Sequence, residues 1–207
     1  MIRNVVFDMG GVLIAWDPAR IVARLGLSEE DSRLLRREVF QSVEWVCLDR
    51  GSLSEQAALE SMGKRLPERL HAAALRCIFW WKDELWPVDG MAELIEELDG
   101  LGCGVYLLSN ATSALHGYFH RIPGSEHFRG HIVSADWKLL KPQHEIYEKL
   151  FSEYSLDPAE CLFLDDYPPN IEGAKRCGME GLVFYRDMAR LRHELRSMGV
   201  GVEEIGT

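Results

Sequence analysis

Three apolar runs in this chain stop on polar residues: "VVFD" at Asp8, "VYLLSN" at Ser109 and Asn110, and "CLFLDD" at Asp165 and Asp166. Short apolar runs without polar alternation read as strands covered on both faces, which is how parallel sheets are buried. Segments with helical character lie between and after them, at Met91 to Leu98, Ala114 to His120, "KPQHEIYEKLFSEY" and "NIEGAKRCG". "HIVSA" and "GLVFY" read as two further short strands. Strands alternating with helices require right-handed crossovers, so the expected fold class is α/β, a doubly wound parallel sheet.

Residues 16–88 do not share this alternation. "SEEDSRLLRREVF" opens with a capping box, Ser28 to Asp31, and "SEQAALESMGKRL" and "PERLHAAALRCIFWWKDEL" favour helix with no strong strand signal between them. The first strand belongs with the later alternating region. The expected division is therefore a catalytic core of residues 1–15 and 89–207, with residues 16–88 inserted as a helical cap above the carboxyl edge of the sheet.

The chain has 207 residues and a net charge of -10, from 33 acidic and 23 basic residues. That balance disfavours nucleic acid or an anionic membrane as main partner, because both attract basic patches. A small anionic substrate remains compatible, since one local cation reverses the field at a site. The five cysteines are scattered without a CxxC pair. With no signal-peptide pattern and no apolar stretch of transmembrane length, they lead us to expect a reduced, cytoplasmic protein.

Ligands of open parallel sheets bind outside the carboxyl ends of the strands. Asp8, Ser109, Asn110, Asp165 and Asp166 are therefore expected to converge, with Lys141 of "LKP" as the cation. A carboxylate can act as nucleophile and form an aspartyl-phosphate. Grouped carboxylates repel one another unless a cation joins them, and all-oxygen ligands suit Mg²⁺. A lysine and a hydroxyl can hold phosphate oxygens. Each ending alone reads equally well as a loop cap; four such motifs in order weigh against that.

These segments resemble the haloacid dehalogenase-like (HAD) hydrolase superfamily over nearly the whole chain. "FDMGGVL" is similar to its first motif, "LLSN" to the second, "LKPQHEIY" to the third and "FLDDYPPNIEGAKRCGM" to the fourth. The resemblance implies a Rossmann-like core with a helical cap. It implies Asp8 as nucleophile, Ser109 on phosphate and Lys141 as the cation. It also implies Mg²⁺ on Asp8, the backbone carbonyl of Gly10 and Asp166, with Asp165 behind them. Most phosphatases of the family carry a second Asp two residues after the nucleophile, where this chain has Gly10. General acid–base help worth ~10²–10⁴-fold is thereby lost unless something replaces it. The "FDxGGVL" form resembles sugar-phosphate phosphatases such as those acting on α-D-glucose 1-phosphate, whose anomeric oxygen leaves with less assistance. Water or Asp17 could substitute, although Asp17 also reads as a helix N-cap before Pro18.

The expected function is Mg²⁺-dependent hydrolysis of a small-molecule phosphate ester, a sugar phosphate, with Asn110 assisting Ser109 and Lys141. Two alternatives stand beside it. One is a regulatory protein that kept the fold without turnover, for which Gly10 argues. The other is a metal-independent dehalogenase, against which the Asp165–Asp166 pair argues. His116 and His120 have metal-compatible helical spacing but no third ligand nearby, and read as surface residues. Trp80, Trp81 and Trp86 read as packing residues before sugar-stacking ones. Nothing in their spacing fixes Arg20, Arg50 or Lys138 at a site.

Overall fold

The computed structural model describes residues 1–83 and 85–204. Its sheet has five parallel strands: β1 (Asn4–Phe7), β2 (Gly104–Ser109), β3 (Gly130–Val133), β4 (Cys161–Asp165) and β5 (Glu180–Val183). Their spatial order is β3-β2-β1-β4-β5. The chain winds outward from β1 through β2 to β3, then returns to lay β4 on the other side of β1. The switch point is thus the β1–β4 seam, where Phe7 pairs Leu164 and the two acidic strand ends lie side by side.

Side chains alternate across the sheet as a pleat requires. Val5, Phe7, Val105, Leu107, Leu162 and Leu164 enter one apolar layer, and Val6, Tyr106, Leu108 and Phe163 the opposite one.

Five α-helices lie between β1 and residue 80: α1 (Pro18–Ala23), α2 (Glu29–Leu35), α3 (Val43–Asp49), α4 (Glu55–Gly63) and α5 (His71–Phe79). Six more belong to the alternating region: α6 (Met91–Gly100), α7 (Leu115–Tyr118), α8 (Ser134–Trp137), α9 (His144–Tyr154), α10 (Pro168–Arg176) and α11 (Met188–Ser197). Helices α6, α7 and α11 supply Leu94, Leu115 and Leu191 to the first layer; α9 and α10 supply Ile146 and Ile171 to the second. The sheet is therefore covered on both faces, as expected.

Several local expectations shift. "HIVSA" ends as a strand at Val133, and Ser134 begins α8. The long "PERLHAAALRCIFWWKDEL" helix stops at Phe79, followed by a 3₁₀ turn at Trp81–Asp83. The fifth strand lies earlier than "GLVFY", at Glu180–Val183. Helix α11 was not anticipated, because charged residues dominate it and only Leu191, Arg192 and Leu195 are buried.

The helices before residue 80 share their own apolar cluster, including Val22, Leu35, Val39, Leu48, Met62 and Ile78. Ser28, Ser42 and Ser54 each accept a main-chain N–H three residues on, fixing the starts of α2, α3 and α4. A polar clamp crosses this cluster. Arg65 donates Nη1 and Nη2 to the two Glu44 oxygens at 2.7 and 2.9 Å, and Nε to Glu38 at 2.7 Å. Ser61 adds a hydroxyl donor to Glu44 at 2.6 Å.

The Arg65 hydrogen bonds, followed by that of Ser61 and opposed by burial, hold the Glu44 carboxyl down at about 2. A carboxyl lowered in the folded state stabilises the fold above its free value of 4.5, and the gain disappears as pH falls toward about 2. Glu44→Gln should cost about 1–2 kcal/mol at neutral pH, allowing for the partial exposure of Arg65. Urea unfolding of both proteins at pH 7 and pH 3 should show the gap narrowing at the lower pH.

Candidate active site

The β1–β4 seam brings the acidic strand ends together. Asp8 follows β1, and its N–H bonds Leu164 O at 2.8 Å, so β4 fixes its start. Asp8, Asp165 and Asp166 each present a carboxylate oxygen within 4.8 Å of the others. Lys141 lies in the loop before α9, and its Nζ bridges Asp8 Oδ1 at 2.8 Å and Asp165 Oδ2 at 2.7 Å. All three side chains are nearly inaccessible to solvent. Burial opposes the Lys141 charge, but Asp165 and Asp8 outweigh it and raise this ammonium above its ordinary value. Burial, countered by Lys141 and reinforced by Asp165, also lifts the Asp8 carboxyl above the usual carboxylate range.

Asp165 is fully committed. It accepts from Lys141, from Asn170 Nδ2 at 3.1 and 2.9 Å, and from Tyr167 N–H at 2.8 Å. Asp166 differs: it is exposed and lines the cavity. Ser109 is buried at the last position of β2. Asn110 reaches the cavity wall, but its amide is spent on Lys141, accepting from Lys141 N–H at 2.8 Å and donating to Lys141 O at 3.1 Å. Its side chain holds the lysine segment in place.

The two glycines of "DMGG" have different duties. Gly11 adopts φ +83°, and a Cβ there would fall 2.1 Å from Asp166 Oδ2. Gly10 is not in the left-handed region; a Cβ there would meet Trp16 Cβ at an ordinary 3.5 Å. The backbone therefore needs glycine at position 11 and would accept a side chain at position 10.

A cavity of about 220 Å³ opens on this cluster. Asp8, Gly10, Asn110, Thr112 and Asp166 line it from the sheet side; Trp16, Trp45, Asp49, Glu55 and Trp81 come from the segment between β1 and α6. Trp16 packs against Trp45 and Trp81, with ring centroids 5.6 and 4.8 Å away. The sequence reading did not select Trp45, Asp49 or Thr112, because no spacing rule links them to the strand ends. "LDRG" after a helix was the nearest signal for Asp49.

The other candidates separate clearly. Asp17 is an N-cap, accepting from Ala19 N–H and Arg20 N–H at 2.9 and 3.1 Å. Among the three tryptophans first noted, Trp81 reaches the cavity, Trp80 is exposed and Trp86 stacks under Arg20 at 4.1 Å. Arg50 and Lys138 are exposed and absent from the cavity wall. His116 pairs with Asp136 at 2.7 Å and His131 at 3.1 Å, while His120 belongs to no metal-like cluster among the described residues.

The donor set fits Mg²⁺. Its ligands are hard oxygens, and three carboxylates with one ammonium leave a formal charge of -2. No helix among the described residues is long and apolar enough to cross a membrane.

The model of the haloacid dehalogenase-like hydrolases matches residues 2–178. The sesquiterpene phosphatase astK of Aspergillus oryzae is 29% identical over 186 residues, covering 87% of this chain and 88% of that protein. The D-ribitol-5-phosphate phosphatase of Bacteroides thetaiotaomicron is 26% identical, covering 87% and 90%. A HAD family enzyme from Bacteroides thetaiotaomicron, solved in complex with magnesium and inorganic phosphate, superposes with a TM-score of 0.67 at 23% identity, over 92% of this chain and 99% of that one. The matched family model, spanning both acidic strand ends and the lysine between them, places this chain in the haloacid dehalogenase-like hydrolase family.

Proposed function

We propose that this chain is a Mg²⁺-dependent phosphatase of small phosphate monoesters, sugar or polyol phosphates foremost, working through an aspartyl-phosphate on Asp8. The observation that carries the reading is the Asp8–Lys141–Asp165 bridge beside a cavity that Asp8 and Asp166 line. Lys141 orients the Asp8 carboxylate and places positive charge where phosphate oxygens arrive. Asp8 attacks phosphorus in line, and water then hydrolyses the acyl-phosphate. Ser109 binds phosphate from the end of β2, beside Asn110. Mg²⁺, held by Asp8, Asp166 and the Gly10 carbonyl, would supply further charge neutralisation at the transferring group. Asp165, with its partners already in place, acts as the support for Lys141.

Residues 16–88 act as the cap over residues 1–15 and 89–207, excluding water and selecting the substrate. The aromatic faces of Trp16, Trp45 and Trp81 suit the C–H faces of a sugar, and Glu55 and Thr112 can accept its hydroxyls. The same apolar wall supports a second reading, an isoprenoid monophosphate, in keeping with the sesquiterpene phosphatase relative. Phosphate-release assays on sugar, polyol and prenyl phosphates distinguish the two. The five free cysteines suit a reducing cytoplasm.

Asp8→Asn should lower the phosphatase rate by several decades while leaving the melting temperature close to that of the parent, and a retained rate above about a tenth would refute the role. Magnesium titrations should separate the acidic pair. Asp166→Ala should raise the Mg²⁺ concentration needed for half activity more than Asp165→Ala does. Asp165→Ala should instead lower the melting temperature, since it leaves Lys141 and Asn170 underpartnered. Gly11→Ala, which displaces Asp166, should weaken apparent Mg²⁺ affinity by about tenfold or more.

A further inference from the structure

An in-line displacement puts the departing ester oxygen on the side of phosphorus opposite Asp8. A proton donor for that oxygen has to approach from the wall that the segment between β1 and α6 builds over the cavity. That segment contributes two carboxyls, Asp49 and Glu55. We propose that Asp49 is the general acid and base of the reaction, supplying the proton transfer that Gly10 cannot. The assignment rests on the phosphatase reading above.

Position is the first support. Asp49 is the last residue of α3 and lines the cavity together with Asp8, Gly10 and Asp166. Glu55 also lines a neighbouring groove with Ser54 and Ser113, so it is shared between two surfaces.

Anchoring is the second. The Asp49 carbonyl accepts from Ser134 Oγ at 2.5 Å, and the same Oγ accepts from Ala111 N–H at 2.9 Å. Asp49 is thereby registered to the end of β2, one residue past Asn110. Gly51 adopts φ +70°, and a Cβ there would lie 2.2 Å from Ala135 O. Only glycine allows the "DRG" turn to press this closely on α8.

Availability is the third. No hydrogen bond or ion pair reaches the Asp49 carboxylate among the described residues, whereas Asp31, Glu38 and Glu44 are paired with arginines and Asp17 caps α1. The charged and titratable groups around it are Asp8, Asp166 and Lys141 from the sheet side, Glu55 from α4 and Tyr118 from α7. Burial, reinforced by Asp8 and opposed by Lys141, raises the Asp49 carboxyl above the ordinary carboxylate range.

In the first step an Asp8 oxygen bonds to phosphorus and the P–O ester bond breaks. Its electron pair leaves on the ester oxygen, which takes the Asp49 proton. In the second step the Asp49 carboxylate accepts a proton from water. The water oxygen bonds to phosphorus, the P–O bond to Asp8 breaks, and inorganic phosphate and the starting state of both residues result.

The test measures kcat/KM with Mg²⁺ for the parent, Asp49→Asn and Asp49→Ser on p-nitrophenyl phosphate and on primary alkyl phosphates. This parameter reports the steps up to transfer onto Asp8, and a ratio of two substrates within one sample is independent of the folded fraction. The expected result is a loss of about 10²-fold or more on alkyl phosphates and under about tenfold on the aryl ester, whose oxygen departs without a proton. Gly10→Asp added to Asp49→Asn should recover the alkyl rate. Equal losses on both classes, or no loss, would overturn the role of Asp49 while leaving the phosphatase reading intact. Absence of Mg²⁺-dependent phosphate release by the parent from every ester would overturn that reading, and the role with it.

Discussion

The Lys141 ammonium, held 2.8 Å from Asp8 and 2.7 Å from Asp165, is the interaction on which the rest of this site depends. Burying isolated charges costs several kcal/mol each, and pairing offsets that cost only when the remaining lone pairs are also met. Here they are met from four separate stretches of chain. Asn170 and the Tyr167 N–H complete Asp165, and Asn110 fixes the main chain of Lys141 from both sides. The ends of β1, β2 and β4 and the start of α10 are thus tied to one buried cation. Around this cluster, Asp8, Gly10 and Asp166 line the cavity.

A second junction, Ser134, joins this centre to the helices above it. Its hydroxyl, fully buried, links Asp49 of α3 to the turn after β2. Gly51 permits the close approach beside it. This short turn is one of the contacts between the helical segment and the core, beside Arg121 on the Lys82 and Asp83 carbonyls and Trp81 on Tyr118, and it brings Asp49 to the cavity. The remainder of the segment is held by its own apolar cluster and by the Arg65 clamp on Glu38 and Glu44.

Much of this was legible in the amino-acid order. Buried parallel strands need continuous apolar runs, so the strand ends at Asp8, Ser109 and Asp165 could be read directly. The serine caps of α2, α3 and α4 are local hydrogen bonds and are equally local in sequence. Helix α11 escaped notice because its apolar face is narrow. The 3₁₀ break after Phe79 escaped because helix propensity continues past the point where packing stops the helix. The distinction between the glycines of "DMGG" was also hidden: both look like turn residues, and only the approach of Asp166 shows which is indispensable.

The sequence by itself determined the fold class, the acidic strand ends and the lysine, because each follows from local pattern and from the rule that parallel-sheet ligands gather at carboxyl ends. Tertiary structure decided the division of labour. It buried Asp165 among its partners and left Asp166 exposed, turned the Asn110 amide onto Lys141 and brought Asp49 and three tryptophans to the cavity. Several of those outcomes rest on contacts distant in sequence, such as Asn110 with Lys141, 31 positions apart, and Ser134 with Asp49, 85 apart, and no local periodicity encodes them.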